Sequence, residues 1–353
     1  MKVWILVWQM CSIPAHTLGG SRLPRCMGVL IWCVCAPAFG QWFSETREVM
    51  GTTAQLQFAS DSPEQAKRLT AQVWAELDRL DVKLSIYKPT SELSRLNRRG
   101  SQEAVIVSKE LFYLLERSQE FNERSAGLFD IRVETFGQLY DLRAHKRPDE
   151  QALSQALQAL DEPLATTVVL DASQRTVFFS KAALKLDLGG IAKGYSVDRA
   201  IDVLRSAGIQ QAMVSSGGDA RYLGKHDNRP WLVGVRHPRD ANKLAVSLPI
   251  EDSAVSTSGD YQRFFIDADG KRHHHIFDPR SGKSPEAIVS ATVLGPDALT
   301  TDAMSTTVLI ASRQQALAMI NNEPELEAIL VDHTGKLWFS DGLVDPQSLV
   351  DAH

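Results

Sequence analysis

The chain of 353 residues has no cysteine after Cys35, because all four of its cysteines lie before residue 36. From that point on, the sequence excludes a zinc site that uses thiolate ligands. It also has no thiol there that can mispair, which suits an oxidising compartment.

The cysteines belong to an N-terminal segment with the features of a secretory signal. Arg22 and Arg25 precede an apolar run over residues 26–38, which ends in small residues typical of a cleavage site. The run is too short to span a membrane comfortably. We therefore expect residues 1–40 to be removed on export to the periplasm, leaving one domain at 41–345 and a tail at 346–353.

Two other interpretations of this segment are disfavoured. One makes it a buried N-terminal strand, and the other makes Cys33 or Cys35 the attachment point of a lipid at the inner membrane. Bulky Trp32 and Val34 precede these cysteines, where a lipidated cysteine needs a small residue.

The chain also lacks an excess of basic residues. It carries 38 Lys and Arg against 43 Asp and Glu, and residues 1–40 contribute three of the bases and none of the acids. This charge balance excludes a broad nucleic-acid surface and gives no general attraction to anionic membranes. A negatively charged ligand must therefore be bound by local groups, such as a helix N-terminus, a lysine or a bound cation.

Common catalytic signatures are missing as well. There is no Gly-x-Gly-x-x-Gly, P-loop, Gly-x-Ser-x-Gly or His-Glu-x-x-His sequence. Glu92 and Asp130 can be imagined as a glycosidase pair, but nothing in the sequence fixes their separation.

Hydrophobic periodicity and capping residues predict an α+β fold, with helices and antiparallel sheets in mixed order. The stretch Ser62-Pro63-Glu64-Gln65 has the N-cap, proline and capping-box residue of a helix start. Predicted helices cover residues 63–84, 108–127, 149–160, 192–207, 299–312 and 313–321. Predicted strands cover residues 46–58, 167–170, 176–179 and 184–188, with hairpins near 267–270 and 329–339, and residues 85–107 are predicted to be a loop.

The stretch from Asp187 to Asp198 combines a buried strand, the pair Gly189-Gly190 and a helix with Lys193 in its first turn. Glycines let the backbone approach a ligand closely, and the N–H groups of a helix start attract anions. This pattern fits a diphosphate site and fits equally well a tight strand-to-helix turn with a solvated lysine.

Two further stretches carry weaker signals. Gly217-Gly218-Asp219 follows an apolar strand, as many ordinary turns do. Asp302 and Thr306 lie one helical turn apart and share a face, which suits a magnesium ion held by few protein oxygens. The competing interpretation of Asp302 is a polar helix start.

Three consecutive histidines, His273, His274 and His275, suggest zinc at first sight. In a strand their side chains alternate between faces, and no cysteine is available to complete a site. We expect one functional histidine with two exposed neighbours.

In combination these segments resemble the FAD:protein FMN transferases, the ApbE-like family. The resemblance covers most of residues 46–342, with eight motifs in the expected order. They are Met50-Gly51-Thr52, Ser85-Ile86-Tyr87 with Ser91–Asn97, Gly127–Asp130, Asp187–Asp198, Gly217–Asp219, Ser258–Tyr261, His275–Pro279 and Asp302–Thr306.

The resemblance implies a single α+β domain related to the T-fold, with FAD as substrate and Mg²⁺ as cofactor. The residues implied to line the flavin and adenine pocket are Met50, Tyr87, Leu128, Phe129 and Asp130, with Leu128 where alanine is usual. Those implied to flank FAD are Gly189, Lys193, Tyr195 and Ile276. The implied metal ligands are the Ala192 carbonyl, Asp302 and Thr306, with Ser305 close by.

The implied reaction cleaves FAD, releases AMP and attaches FMN to a threonine or serine of another protein, such as a membrane-bound electron-transfer subunit. The attacking hydroxyl needs a base, for which His275 is the candidate, with Asp260 as its partner. Two alternatives remain: an FAD pyrophosphatase that releases FMN and AMP, and a non-catalytic periplasmic FAD-binding protein.

Export makes a direct prediction about the mature chain. N-terminal sequencing of the protein from its native compartment should give a start between Phe39 and Trp42, and hence no cysteine. A product that retains Cys33 would contradict the signal assignment.

Overall fold

The structure is a computed structural model that describes residues 40–240 and 242–343. The predicted signal, apart from Gly40, and the predicted tail at 346–353 lie outside the described residues. The fold is α+β with helices and antiparallel sheets, as the sequence predicts.

The helices begin where side-chain caps are available. Ser62, Ser108 and Asp149 each accept a hydrogen bond from the backbone N–H three residues later, which satisfies an otherwise unpaired donor. The α-helices are α1 (Pro63–Leu84), α2 (Glu92–Arg99), α3 (Lys109–Arg124), α4 (Glu134–Gly137), α5 (Glu150–Leu157), α6 (Leu164–Thr167), α7 (Ala192–Ser206), α8 (Ala298–Ile310) and α9 (Arg313–Asn321).

The strands form one large sheet and three small ones. They are β1 (Gln41–Val49), β2 (Thr52–Ser60), β3 (Val105–Ile106), β4 (Val168–Asp171), β5 (Thr176–Phe179), β6 (Ala212–Ser216), β7 (Asp219–Leu223), β8 (Trp231–Arg236), β9 (Leu244–Ile250), β10 (Ala254–Gly259), β11 (Phe264–Ile266), β12 (Arg272–His274), β13 (Ile288–Gly295), β14 (Glu327–Asp332) and β15 (Leu337–Phe339).

The large sheet has eight strands in the order β1-β2-β6-β7-β10-β13-β14-β15, and every neighbouring pair is antiparallel. The small sheets are β3-β5-β4 and the hairpins β8-β9 and β11-β12. The long connections between β2 and β6, and between β7 and β10, carry most of the remaining structure.

The two faces of the large sheet have different cores, because side chains alternate along each strand. On β6, Val214 packs with residues of α1 and α7, whereas Met213 packs with the β8-β9 hairpin. Helix α8 contacts β10 and β13, and α7 contacts both α1 and α8. The helical layer therefore lies on one face, with the N-terminal part of α7 against α8.

The predicted strand at residues 46–58 is wrong, because the chain turns back at Met50 and Gly51. Met50 has a φ of 54°, in the left-handed region, and the turn separates two strands that pair with each other. The alternating pattern continues through the turn, so it does not reveal the reversal.

Two other predictions differ from the structure. The predicted strand 184–188 has no strand partner, because the Asn97 side chain pairs with both the N–H and the C=O of Leu186. The predicted loop 85–107 contains α2 and β3, and Ser91 caps α2 through the Ser94 N–H.

No helix in residues 40–240 or 242–343 is both long and apolar enough to cross a membrane.

The contact between α7 and α8 depends on Gly194. A Cβ at this position would lie 2.0 Å from the Ala298 carbonyl oxygen and 2.7 Å from Asp302 Cβ. Gly194→Ala should therefore lower the free energy of unfolding by about 3 kcal/mol, the upper part of the range for overpacked sites.

Urea unfolding measures this effect, with Ser206→Ala at the exposed end of the same helix as the control, expected to stay within about 0.5 kcal/mol of the parent. Equal midpoints for the two variants would show that α7 and α8 are not closely packed.

Candidate active site

Three distant segments meet at the N-terminal end of α7. Lys193 Nζ lies 3.0 Å from Asp219 Oδ2 and 3.2 Å from both carboxylate oxygens of Asp302, and it donates to the Gly189 carbonyl at 2.9 Å. The Gly194 N–H donates to Asp302 Oδ2 at 2.9 Å. One partly exposed cation and two buried carboxylates thus form a charge cluster.

Asp219 reaches this cluster because β6 and β7 are joined by the tight turn at Gly217-Gly218. A Cβ on Gly218 would lie 2.3 Å from the Thr257 carbonyl oxygen, so the turn needs glycine to pass β10. Asp219 is part of the predicted Gly217–Asp219 motif, but no role is predicted for it from the sequence. Its position directly after the glycine pair is the one feature of the sequence that points to a functional role.

Asp302 is not a solvated helix-start residue, since its side chain is only 2% exposed. Burial and the neighbouring Asp219 raise the pKa of Asp302, while Lys193 lowers it. The start of α8 is capped elsewhere: the Asp198 carboxylate of α7 accepts from the Ala298 and Leu299 N–H groups at 2.9 and 2.8 Å.

Hydroxyl groups continue the polar surface along α8. Ser258 Oγ lies 2.9 Å from Ser305 Oγ and 3.3 Å from Thr306 Oγ1. Thr306 also faces the Gly189-Gly190 turn, because a Cβ on Gly190 would lie 3.4 Å from its hydroxyl. The Ala192 carbonyl accepts from Ser196 Oγ at 2.6 Å. Ser258 belongs to the Ser258–Tyr261 motif, but no role is predicted for it from the sequence.

The oxygen groups fit a hard cation. No cluster of three His, Cys, Asp or Glu suited to a metal is found in the part of the chain that the structure describes. Two carboxylates, a hydroxyl and a carbonyl are the sparse set typical of magnesium, which retains water and binds substrate phosphate. The Lys193 ammonium already lies among the carboxylates, so positive charge is stabilised there. The assignment of Ala192, Asp302, Ser305 and Thr306 stays a prediction.

The residues predicted to line the flavin pocket differ in their exposure to solvent. Tyr87 is 77% exposed, whereas Leu128 and Phe129 are buried in the core beside Ile276. Asp130 is also buried, and Arg132 Nη2 donates to its carboxylate at 2.6 Å. The Asp130 carboxylate is therefore occupied within the protein in this structure.

The Tyr195 hydroxyl is likewise hydrogen-bonded within the protein. Its hydroxyl donates to Glu110 Oε1 at 2.9 Å, and Arg79 and Lys83 also donate to Glu110. Burial raises the pKa of Tyr195, and Glu110 raises it further. The hydroxyl thus positions α7 against α3 and remains protonated.

A second group of charged residues, Arg263, Glu134 and Asp187, lies close enough to Tyr87 to affect its pKa. Arg263 donates to the Gly51 carbonyl at 2.8 Å, and the His275 N–H donates to the Arg263 carbonyl at 3.1 Å. Burial raises the pKa of Glu134 to about 7, and the nearby Asp187 contributes. No spacing rule connects Arg263, Glu134 and Asp187, so their roles cannot be predicted from the sequence.

The expectation of two exposed histidines is wrong. His273 and His274 are buried: His273 Nε2 lies 2.8 Å from Asp267 Oδ2, and His274 Nε2 lies 3.1 Å from the Pro285 carbonyl. Strand β12 ends at His274, so His275 lies outside the alternation assumed for a strand.

His275 has a buried Nδ1 without a hydrogen-bond partner among the described residues. Burial lowers its pKa from 6.5 to about 3, and the nearby positive groups, which include Arg263 and Lys193, contribute. The predicted pairing with Asp260 is not formed, because Arg239 donates to both Asp260 oxygens at 2.6 Å. His275 is therefore neutral and able to accept a proton only weakly.

Comparisons with known proteins agree on one family. The sequence model of the ApbE family matches residues 50–330. The chain is 28% identical to the FAD:protein FMN transferase of Treponema pallidum, covering 92% of this chain and 96% of that protein. It is 30% identical to that of Klebsiella pneumoniae, covering 82% and 89%.

Solved structures show the same fold. The ApbE protein of Thermotoga maritima matches with a TM-score of 0.79 at 28% identity, over 85% of this chain and 97% of that one. The flavin transferase ApbE of Vibrio cholerae matches with a TM-score of 0.76 at 26% identity, over 86% and 98%.

The low pKa of His275 makes stability depend on pH in a defined direction. Its folded value, about 3, lies below its ordinary value of 6.5, so the unfolded chain binds more protons between these limits. Above pH 6.5, His275 does not reduce the free energy of unfolding. As the pH decreases from 6.5 towards 3, this residue lowers the free energy of unfolding by up to about 1.4 kcal/mol per pH unit.

Urea unfolding at pH 7 and pH 5 tests this, with His275→Gln expected to lose less stability than the parent. His333→Gln, which changes an exposed histidine, is the control and should keep the parental dependence. Identical pH dependence in all three proteins would contradict a buried neutral His275.

Proposed function

This chain belongs to the ApbE family and is a transferase, and from that premise we propose that it transfers FMN from FAD to a threonine or serine of another protein. We propose further that the reaction requires magnesium and releases AMP. The observation that carries the proposal is the charge cluster of Lys193, Asp219 and Asp302 at a helix N-terminus.

Binding of the FAD diphosphate is supported by the start of α7. The Gly189-Gly190 turn brings backbone close to a ligand, and the first N–H groups of a 15-residue helix attract negative charge. The remainder of the chain is acidic, so this local attraction is needed to bind a dianionic diphosphate. Exposed Tyr87 and the Met50 turn offer contact surfaces for the ring systems of FAD.

Magnesium would be held by Asp302, Thr306 and the Ala192 carbonyl. When bound, it would neutralise the diphosphate and stabilise the charge that develops on the leaving AMP. Asp302 is held in place by the Gly194 N–H, so its carboxylate needs no reorganisation to meet a cation.

The transfer itself exchanges one phosphorus–oxygen bond for another. The acceptor hydroxyl oxygen bonds to the FMN phosphorus, the bond to the AMP oxygen breaks, and AMP leaves with the electron pair. The hydroxyl proton must be removed, and neutral His275 is the proposed acceptor of that proton. Its low pKa means that it serves best as a hydrogen-bond acceptor that orients the hydroxyl and takes up the proton late.

We propose that the reaction takes place in the periplasm, after removal of the N-terminal segment. The acceptor would be a subunit of a membrane-bound electron-transfer complex that presents the hydroxyl on an exposed loop. A modifying enzyme must release its product, so the contact with the acceptor is expected to be small and transient.

The test is incubation with FAD, magnesium and a candidate acceptor domain, followed by mass spectrometry and in-gel flavin fluorescence. The acceptor should gain the mass of FMN less water, AMP should appear in equal amount, and replacing the acceptor threonine by alanine should stop both.

Asp302→Asn should lower the transfer rate about 100-fold or more, as expected when stabilisation of a leaving charge is lost. Asp202→Asn, which changes a partly exposed carboxylate on α7, is the control and should leave the rate unchanged. Accumulation of free FMN at the same rate with and without acceptor would favour the pyrophosphatase. Binding of FAD without any cleavage would favour the storage protein.

A further inference from the structure

The Lys193 side chain is 29% exposed, but its ammonium is held by carboxylates that are almost completely buried. Its Nζ meets three carboxylate oxygens within 3.2 Å and donates to the Gly189 carbonyl, while the side chains of Asp219 and Asp302 are only 3% and 2% exposed. All of the hydrogen-bonding capacity of the ammonium is therefore used inside the protein.

The charge of Lys193 is required by its surroundings. Burial alone would lower its pKa, but Asp219 and Asp302 raise it well above its ordinary value, so the group is an ammonium. Within residues 40–240 and 242–343, no other side-chain cation forms an ion pair with Asp219 or Asp302. Without Lys193, two buried carboxylates would repel each other without a counterion.

The region around Asp219 has unused polar capacity. Asp219 Oδ2 is buried with the ion pair to Lys193 as its polar contact, and the buried Ser216 hydroxyl has no hydrogen-bond partner among the described residues. Ser216 and Asp219 are directly opposite each other across the β6-β7 hairpin, so their side chains share one face of the sheet. One oxygen of Asp219 thus lies beside the ammonium, and the Ser216 hydroxyl lies on the same face of the sheet as Asp219.

We propose that Lys193 is an internal counterion that occupies the cation position while magnesium is absent. With magnesium bound, the Lys193 ammonium would leave the carboxylates and turn towards the diphosphate of the substrate, and Asp219 and Asp302 would together hold the metal. This inference rests on the proposed function for the identity of the substrate, but its metal-binding half can be measured without flavin transfer. Under this proposal Lys193 is a substrate-binding residue that leaves the carboxylates only when the metal takes its place.

The proposal requires lysine and magnesium to compete for the same carboxylates. Lys193→Met should therefore bind magnesium alone more tightly than the parent, by about tenfold or more, because a like charge is removed from close range. Isothermal titration calorimetry with MgCl₂ measures this affinity. Titration with Mn²⁺ as a substitute gives a second measurement, because the electron paramagnetic resonance signal of free Mn²⁺ decreases as the ion binds.

Lys185→Met is the matched control, since Lys185 Nζ donates to the Asn97 carbonyl and pairs with neither acid. Its magnesium affinity should equal that of the parent. Magnesium binding to Lys193→Met that is no tighter than binding to the parent would overturn the proposal.

A second pair of variants keeps the test valid if Lys193→Met folds poorly. Asp219→Asn should weaken magnesium binding several-fold, and Asp219→Asn with Lys193→Met removes one charge of each sign. The double variant should bind magnesium more tightly than Asp219→Asn alone. Equal affinities in these two proteins would overturn the competition.

The fate of the displaced ammonium is tested with ADP, which carries a diphosphate but no flavin. At saturating magnesium, Lys193→Met should bind ADP several-fold more weakly than the parent does, although its magnesium binding is tighter. A merely structural role would weaken both. Unchanged ADP affinity would overturn the part of the proposal that directs Lys193 to the diphosphate, and failure of FMN transfer alone would leave the metal result standing.

Discussion

One ammonium, held between two buried carboxylates, joins the three segments on which the site depends. Lys193 belongs to α7, Asp219 to β7 and Asp302 to α8, and the Lys193 ammonium lies within 3.2 Å of a carboxylate oxygen of each acid. A buried ion pair is strongly destabilised when one member is removed, because the other is left uncompensated. None of the three segments can therefore move away alone without a compensating charge, which a divalent cation would supply.

The packing around this cluster follows from the need for close approach. Gly194 lets α7 touch the first turn of α8, and Gly218 lets the β6-β7 turn pass β10. Asp198 then caps α8 from one turn further along α7, so the same helix contact positions both the cap and Asp302. The end of the site that contains the charge cluster is thus built from helices and strands in close contact.

The part of the candidate site around His275 is built differently. His275 and Arg263 lie at the base of the β11-β12 hairpin, and Arg263 connects this hairpin to the β1-β2 turn at Gly51. These are connecting segments held by a few hydrogen bonds, in contrast to the helix and strand contacts around Lys193. Such a division suits an enzyme that must hold one substrate firmly and admit a second, large one.

Local signals in the sequence gave reliable helix positions, because caps such as Ser62 and Ser108 act within three residues. The same local patterns gave wrong predictions where the backbone hydrogen bonds are made to residues far away in the sequence. Residues 184–188 look like a strand, but the side chain of Asn97 takes the place of a strand partner. The turn at Met50 interrupts an alternation that the residue types alone continue.

The sequence by itself determined the family, the order of the motifs and the helices that carry them, since these depend on residue types at short spacing. Only the tertiary structure decided which polar groups meet: Asp130 with Arg132, Tyr195 with Glu110, Asp260 with Arg239, and Lys193 with two acids. The physical reason is burial. A buried charge without a partner is strongly destabilising, so each buried charge is paired. The packing of segments that are distant in sequence decides which partner it has, and spacing along the chain does not reveal that packing.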